Sequence, residues 1–245
     1  MPRVAVYRRL RGWLRDARIK GMDGDALVRD AVLAAARGMH EMGLSAGTSG
    51  NVSARAGEGQ VVITPSAVPY PEMTTEDLVL ITLDGGGVSG RGGRRRRAPS
   101  SESPLHCACY RAFPEIGAVL HSHPPYASMF AAAHQPIPAV IDEAVLYAGG
   151  EVPVAAYAIS GSAGVGDNAV AVLASSGSAV LPSHGLVTVA GTPAEALHQA
   201  TVVEHCAHIA WGARILGGHI PLPPETLRTF GDAYRRNRSS GGGLS

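Results

Sequence analysis

Aromatic side chains are scarce in this 245-residue chain, where two Trp, three Phe and seven Tyr make up 5%. A core with so few rings closes with smaller groups. The 45% hydrophobic content, rich in Ala, Val and Gly, points to small aliphatic side chains packed between helices and a sheet. Net charge is also lacking. Twenty-one Lys and Arg against twenty Asp and Glu leave +1, which supplies no field to recruit nucleic acid or an anionic membrane and points to a small-molecule partner. The three cysteines, Cys107, Cys109 and Cys206, make no CxxC pair and suggest no disulfide framework, as expected of reduced thiols in a cytoplasm. No apolar run approaches the length that spans a bilayer, and no uninterrupted apolar segment follows the Arg-rich start. A soluble, untargeted cytoplasmic protein is expected.

What is present is periodicity. Residues 1–22 are basic and weakly patterned and read as an N-terminal extension, followed by a domain over 23–236 and a flexible tail over 237–245. From Asp25 to Met42, Leu27, Val28, Val32, Leu33, Ala36 and Met39 recur at helical spacing, with Gly43 as a C-cap. Short β-prone runs at 50–55, 60–64 and 78–83, separated by Gly and Pro turns, predict neighbouring antiparallel strands. Ser100 or Ser101 can cap a helix running to Tyr110, and 117–123 reads as a buried strand. Further helices are expected after Pro124-Pro125, over 142–148, over 167–174 and from Pro193 to Leu216. Further strands are expected at 153–156, 178–181 and 186–189. The Gly-rich 85–93 stretch with the Arg run 94–97 reads as a solvated hairpin loop. The 161–166 run matches neither dinucleotide nor P-loop spacing and reads as a connection.

His121-Ser122-His123 ends a predicted strand, where residues two apart project from one face and can share an ion. Such a pair serves equally as packed or exposed histidines. His184 lies in a predicted tight turn before Gly185, a place from which a side chain can be aimed at a distant site. The other seven histidines have no such spacing and are expected to be structural. Glu102 beside Ser100 and Ser101 starts a helix, where capping is the plain role. Gly47-Thr48-Ser49-Gly50-Asn51 and Thr64-Pro65-Ser66 are donor-rich segments able to face a phosphate or simply to turn.

Taken in order, Gly47-Thr48-Ser49-Gly50-Asn51-Val52-Ser53, Ile63-Thr64-Pro65-Ser66, Pro99-Ser100-Ser101-Glu102, His121-Ser122-His123 and His184-Gly185 resemble the class II aldolase/adducin family over about residues 25–216. Within it, the likeness is strongest to aldolases that act on L-fuculose 1-phosphate. The resemblance implies a three-layer α/β/α sandwich with a central, mostly antiparallel sheet, assembled as a homotetramer with interfacial sites. It implies zinc on His121, His123 and His184, and Glu102 as the acid/base for cleavage of a ketose 1-phosphate to dihydroxyacetone phosphate and an aldehyde. It places the phosphate among Gly50, Asn51, Ser66, Ala67, Ser100 and Ser101.

Two departures from the pattern matter. Ala67 stands where the family usually has Gly, so its backbone is expected to avoid conformations that only Gly tolerates. The tyrosine that protonates the departing aldehyde is not at its usual place, where the chain reads Ile141-Asp142-Glu143, and Tyr147 and Tyr234 are the candidates. Epimerases of this fold carry Asp where this chain has Glu102, and dehydratases share the Glu, so dehydration is the enzymatic alternative. A non-catalytic adducin-like module would not need these histidines.

Overall fold

A computed structural model describes residues 24–84, 87–88 and 97–239. Helix α1, Gly24–Glu41, buries the stripe Val32, Ala35, Ala36 and Met39 and ends where Gly43 takes φ 70°. Strands β1 (Asn51–Arg55), β2 (Gln60–Ile63), β3 (Val79–Thr82) and β4 (Gly87–Val88) follow. Helix α2 (Ser103–Ala112) leads into β5 (Ala118–Ser122), then α3 (Pro125–Ala132), α4 (Asp142–Ala148) and α5 (Ala163–Leu173). The hairpin β6 (Ser178–Leu181) and β7 (Gly185–Ala190) precedes the long α6 (Pro193–Ile215) and α7 (Pro224–Ser239). No helix among the described residues is long and apolar enough to cross a membrane.

The strands form one seven-stranded sheet in the order β4-β3-β2-β1-β5-β7-β6, with every neighbouring pair antiparallel. Strand alternation sorts its side chains into two cores. Val52, Ala54, Leu120 and Leu186 pack with α1, α3, α4 and α6. Val61, Ile63, Val119, Val187 and Val189 pack on the other face with α2 and α5. The result is the expected three-layer α/β/α sandwich, and β5 lies near the middle of its sheet.

Five local expectations are corrected. Residues 153–156 form no strand. Instead, a parallel bridge between Val154 and Val180 covers the outer edge of β6. Helix α5 begins at Ala163, so part of the Gly-rich 161–166 run is its first turn, behind Ser162 in extended conformation. Glu102 occupies the α2 cap position in place of Ser100 or Ser101, with no side-chain capping bond. Helix α7 reaches Ser239, which takes the first three residues of the expected tail into a helix; 1–22 and 240–245 lie outside the described residues. The expected 85–97 loop contributes the short β4, and its Arg94–96 run also lies outside them.

Candidate active site

The site grows from the end of β5. His121 faces the α2 layer, and its Nδ1–H donates to the Leu186 carbonyl at 2.9 Å, which turns Nε2 toward the centre of the site. His123 follows the strand, held by its own N–H to Leu44 O. The β6–β7 turn carries His184 after Ser183, whose φ is 54°. The turn closes against β5 because Gly185 has no side chain: a Cβ there would collide with Ser122 O and lie 2.9 Å from His123 Cδ2.

The three imidazoles surround one point. His121 Nε2 lies 2.9 Å from His123 Nε2, and one ligand nitrogen from each ring falls within 4.8 Å of the others. Nitrogen lone pairs this close repel unless a proton or ion sits between them. Tetrahedral zinc holds ligand nitrogens roughly 3.4 Å apart, so the set suits such an ion with a fourth position open. Burial, then repulsion from His121 and His184, pushes the His123 pKa down to about 4. Burial and the same neighbour His121 also lower that of His184. Neutral imidazoles, the form that binds metal, result near neutral pH.

Glu102 closes the cluster from the start of α2. Its Oε2 lies 2.9 Å from His121 Nε2 and its Oε1 3.2 Å from His184 Nε2. Burial would push this carboxyl up. The hydrogen bond and charge of His121, the Ser160 hydroxyl and the charge of His184 outweigh it and hold the group well below the usual carboxylate range. Ser160 donates to Glu102 Oε1 at 2.7 Å and lies 3.4 Å from His184 Nε2. Nothing in the sequence marks Ser160, which stands on an irregular loop.

The expected phosphate residues also come together. The β1–β2 register continues past the strands through Thr64 N–H to Val52 O, setting Ser66 abreast of Gly50 and Asn51. Pro65 and Pro99 form an antiparallel bridge, with Ser66 N–H to Ala98 O and Ser100 N–H to Thr64 O, so Ser66 and Ser100 flank that bridge, one opposite Ala98 and the other opposite Thr64. Ser100 Oγ accepts the Glu102 N–H at 3.3 Å, leaving its own proton to donate. Ser66 Oγ donates to Pro99 O, and Ser101 is exposed. Gly50, at φ 83°, lets the chain pass the His121 carbonyl, where a Cβ would stand 2.9 Å away.

Ala67 has φ 58°, contrary to the expectation that it avoids the glycine-favoured region. An alanine tolerates this left-handed conformation at a cost of about 1 kcal/mol, so the loop keeps its turn without the glycine.

The two tyrosine candidates lie elsewhere in the single chain. Tyr147 sets its ring edge-on to His198 at 4.9 Å. Tyr234 packs over Gly149 and Gly177, at the end of β6 remote from His184. A residue that sequence reasoning left aside, His106, lies fully buried against Asn51 and Ser53. The spacing Glu102, His106, Tyr110, one turn apart on a single helix, is the signal that marks it.

Comparison with known proteins agrees with this geometry. Residues 30–211 match the model of the class II aldolase and adducin N-terminal domain. The 5-methylthioribulose-1-phosphate/5-deoxyribulose-1-phosphate aldolase of Rhodospirillum rubrum is 32% identical over 84% of this chain and 93% of its own. The L-fuculose phosphate aldolase of Escherichia coli O6:H1 is 33% identical over 70% and 76%. A solved L-fuculose 1-phosphate aldolase superposes with a TM-score of 0.79 at 29% identity, covering 85% of this chain and 96% of its own. The chain belongs to the class II aldolase and adducin family, on its enzymatic side, as a carbon–carbon lyase of the class II aldolase type.

Proposed function

We infer that this protein is a zinc-dependent aldolase that reversibly cleaves a deoxyketose 1-phosphate to dihydroxyacetone phosphate and a short aldehyde. The observation that carries the reading is the convergence of His121, His123 and His184 on one point with the Glu102 carboxylate 2.9 and 3.2 Å from two of them. The three histidines would hold the zinc. Bound there, it supplies a Lewis acid for the carbonyl and adjacent hydroxyl oxygens of the substrate and offsets the negative charge that bond cleavage leaves.

The protein's own groups supply the rest. Asn51, Ser66, Ser100 and Ser101, with main-chain donors at Gly50 and Ala67, receive the phosphate and fix the sugar's register. Glu102 moves the proton at the carbon that becomes part of dihydroxyacetone phosphate: its ionised form takes that proton in the condensation direction and returns it in cleavage. Ser160 holds one carboxylate oxygen of Glu102 and leaves the other turned to the centre. In the single chain neither Tyr147 nor Tyr234 faces the departing aldehyde. Assembly as a homotetramer, with a neighbouring copy's Tyr234 brought to this end, is the arrangement that would supply the proton.

The substrate class follows from the rim. Tyr157 and Ile159 expose large apolar surface beside Ser160, which suits an aldehyde ending in a methyl or thioether group over one ending in hydroxyls. The Rhodospirillum rubrum relative, named for 5-deoxyribulose 1-phosphate and its methylthio analogue, agrees with such an end. A 5-deoxypentulose 1-phosphate would split into the three-carbon phosphate and acetaldehyde, and L-fuculose 1-phosphate into the same phosphate and lactaldehyde. Coupled assay of dihydroxyacetone phosphate from both sugars, with zinc and after chelation, tests the reading. Zinc-dependent release supports it, and loss of substrate without that product would replace it with dehydration or epimerisation.

A further inference from the structure

Glu102, His106 and Tyr110 follow one another at a spacing of four, so they stack along one face of α2 above β1 and β5. Strand β1 meets them with Asn51 and Ser53, two residues apart and therefore on one face. A continuous chain of hydrogen bonds joins helix to strand. Tyr110 Oη lies 2.9 Å from Ser53 Oγ, Ser53 Oγ 2.6 Å from His106 Nδ1, and His106 Nε2 2.5 Å from Asn51 Oδ1. His106 and Ser53 are wholly inaccessible to solvent.

The proton inventory assigns each role. A carboxamide oxygen only accepts, so His106 Nε2 carries the hydrogen. Burial, then the charge of His121, pushes the His106 pKa down to about 3, which leaves the ring neutral and its Nδ1 bare. Nδ1 therefore accepts the Ser53 proton, and the Ser53 oxygen accepts from Tyr110. The Asn51 oxygen is committed to His106, and among the described residues no group accepts from Asn51 Nδ2. A free carboxamide could turn over and present its oxygen to an anion, which would repel it. This one is held.

We propose that His106 is a positioning residue for the substrate phosphate, locking the Asn51 carboxamide with its NH2 toward the anion, while Ser53 and Tyr110 lock His106. The assignment rests on the aldolase reading only for the identity of the anion.

Three measurements on the zinc-loaded protein test it. Nitrogen-15 NMR of the His106 ring at neutral pH should show protonated Nε2 and bare Nδ1. His106→Leu should weaken binding of inorganic phosphate roughly tenfold and raise KM for the ketose 1-phosphate by a similar factor, with kcat changed less than about threefold. His106→Gln, whose amide nitrogen can occupy the place of Nε2, should recover most of the loss. Asn51→Ala should weaken phosphate binding to the same extent, and adding His106→Leu to it should cost nothing more. Tyr110→Phe keeps the packing and should shift the Nδ1 resonance, so the relay is testable even where His106→Leu does not fold. An Nδ1-protonated ring, undiminished phosphate affinity in His106→Leu, or additive losses in the double variant would overturn the assignment. Because the tautomer and the phosphate cycle are read without turnover, failure of the aldolase reading would appear separately, as absent product from wild type.

Discussion

Asn51 lies directly opposite His121 across the antiparallel β1–β5 pair, so a candidate phosphate-binding amide and a candidate metal ligand share one face of the sheet at adjacent strands. Geometry of this kind would tie the place of a bound anion to that of a bound metal. Asn51→Asp keeps an acceptor for His106 Nε2 but replaces the outward amide with a second oxygen. The expected outcome is a KM for the sugar phosphate raised roughly 30-fold or more, with zinc content unchanged. Unaltered KM would remove Asn51 from the phosphate site.

Glu102 stands at the cap position of α2 yet makes no side-chain capping bond, its carboxylate being spent on the histidines and Ser160. Glu102→Gln should therefore lower kcat about a hundredfold to ten-thousandfold while the metal stays bound. If the residue were only a cap, the variant would keep its activity and lose about 1 kcal/mol of stability.

His106 sets a pH dependence of stability. Its folded pKa, about 3, lies below the ordinary 6.5, so below about pH 6.5 the unfolded chain takes up a proton that the folded chain refuses. The stability contribution is complete above pH 6.5 and is lost progressively as pH falls toward 3, by about 2 kcal/mol between pH 6.5 and 5. His123 and His184 act in the same direction in metal-free protein. Urea unfolding of the chelated protein at pH 7 and 5 should show a smaller loss for His106→Gln than for wild type. Equal losses would contradict the burial of a neutral His106.

Ala67 at φ 58° carries a local strain that glycine would relieve. Allowing for the greater unfolded freedom of glycine, Ala67→Gly should stabilise the protein by about 0.5 kcal/mol, raising Tm by roughly 1–2 °C with kinetics unchanged. A lower Tm would mean the turn is not left-handed there.

The periodic elements were legible in the sequence because their burial pattern is local. The α1 stripe ends at Gly43 as expected, and His121 falls on the strand face that alternation assigns it, with His123 just past the end of β5. Motif order was legible in the same way, and the strand register then brought Ser66, Ser100 and Asn51 together. What escaped depended on tertiary partners. Residues 153–156 have strand-like side chains but pair only through a single bridge at the β6 edge, so they stay irregular. Ser160 acquires meaning only where its loop crosses Glu102 and His184. His106 looked like any core histidine until the strand opposite it was known to carry Ser53 and Asn51. Tyr234, a candidate for reaching a neighbouring copy's site, is set over Gly149 and Gly177 by the packing of α7 on α4, and which site it serves depends on an assembly that a single chain does not contain.

The most direct test of the account is the coupled assay of dihydroxyacetone phosphate released from 5-deoxyribulose 1-phosphate by wild type, by chelated protein with and without added zinc, and by His123→Ala. The account predicts release by wild type, its loss on chelation, its return with zinc, and little bound zinc and no release in His123→Ala. Release that persists in His123→Ala or survives complete removal of metal would contradict it.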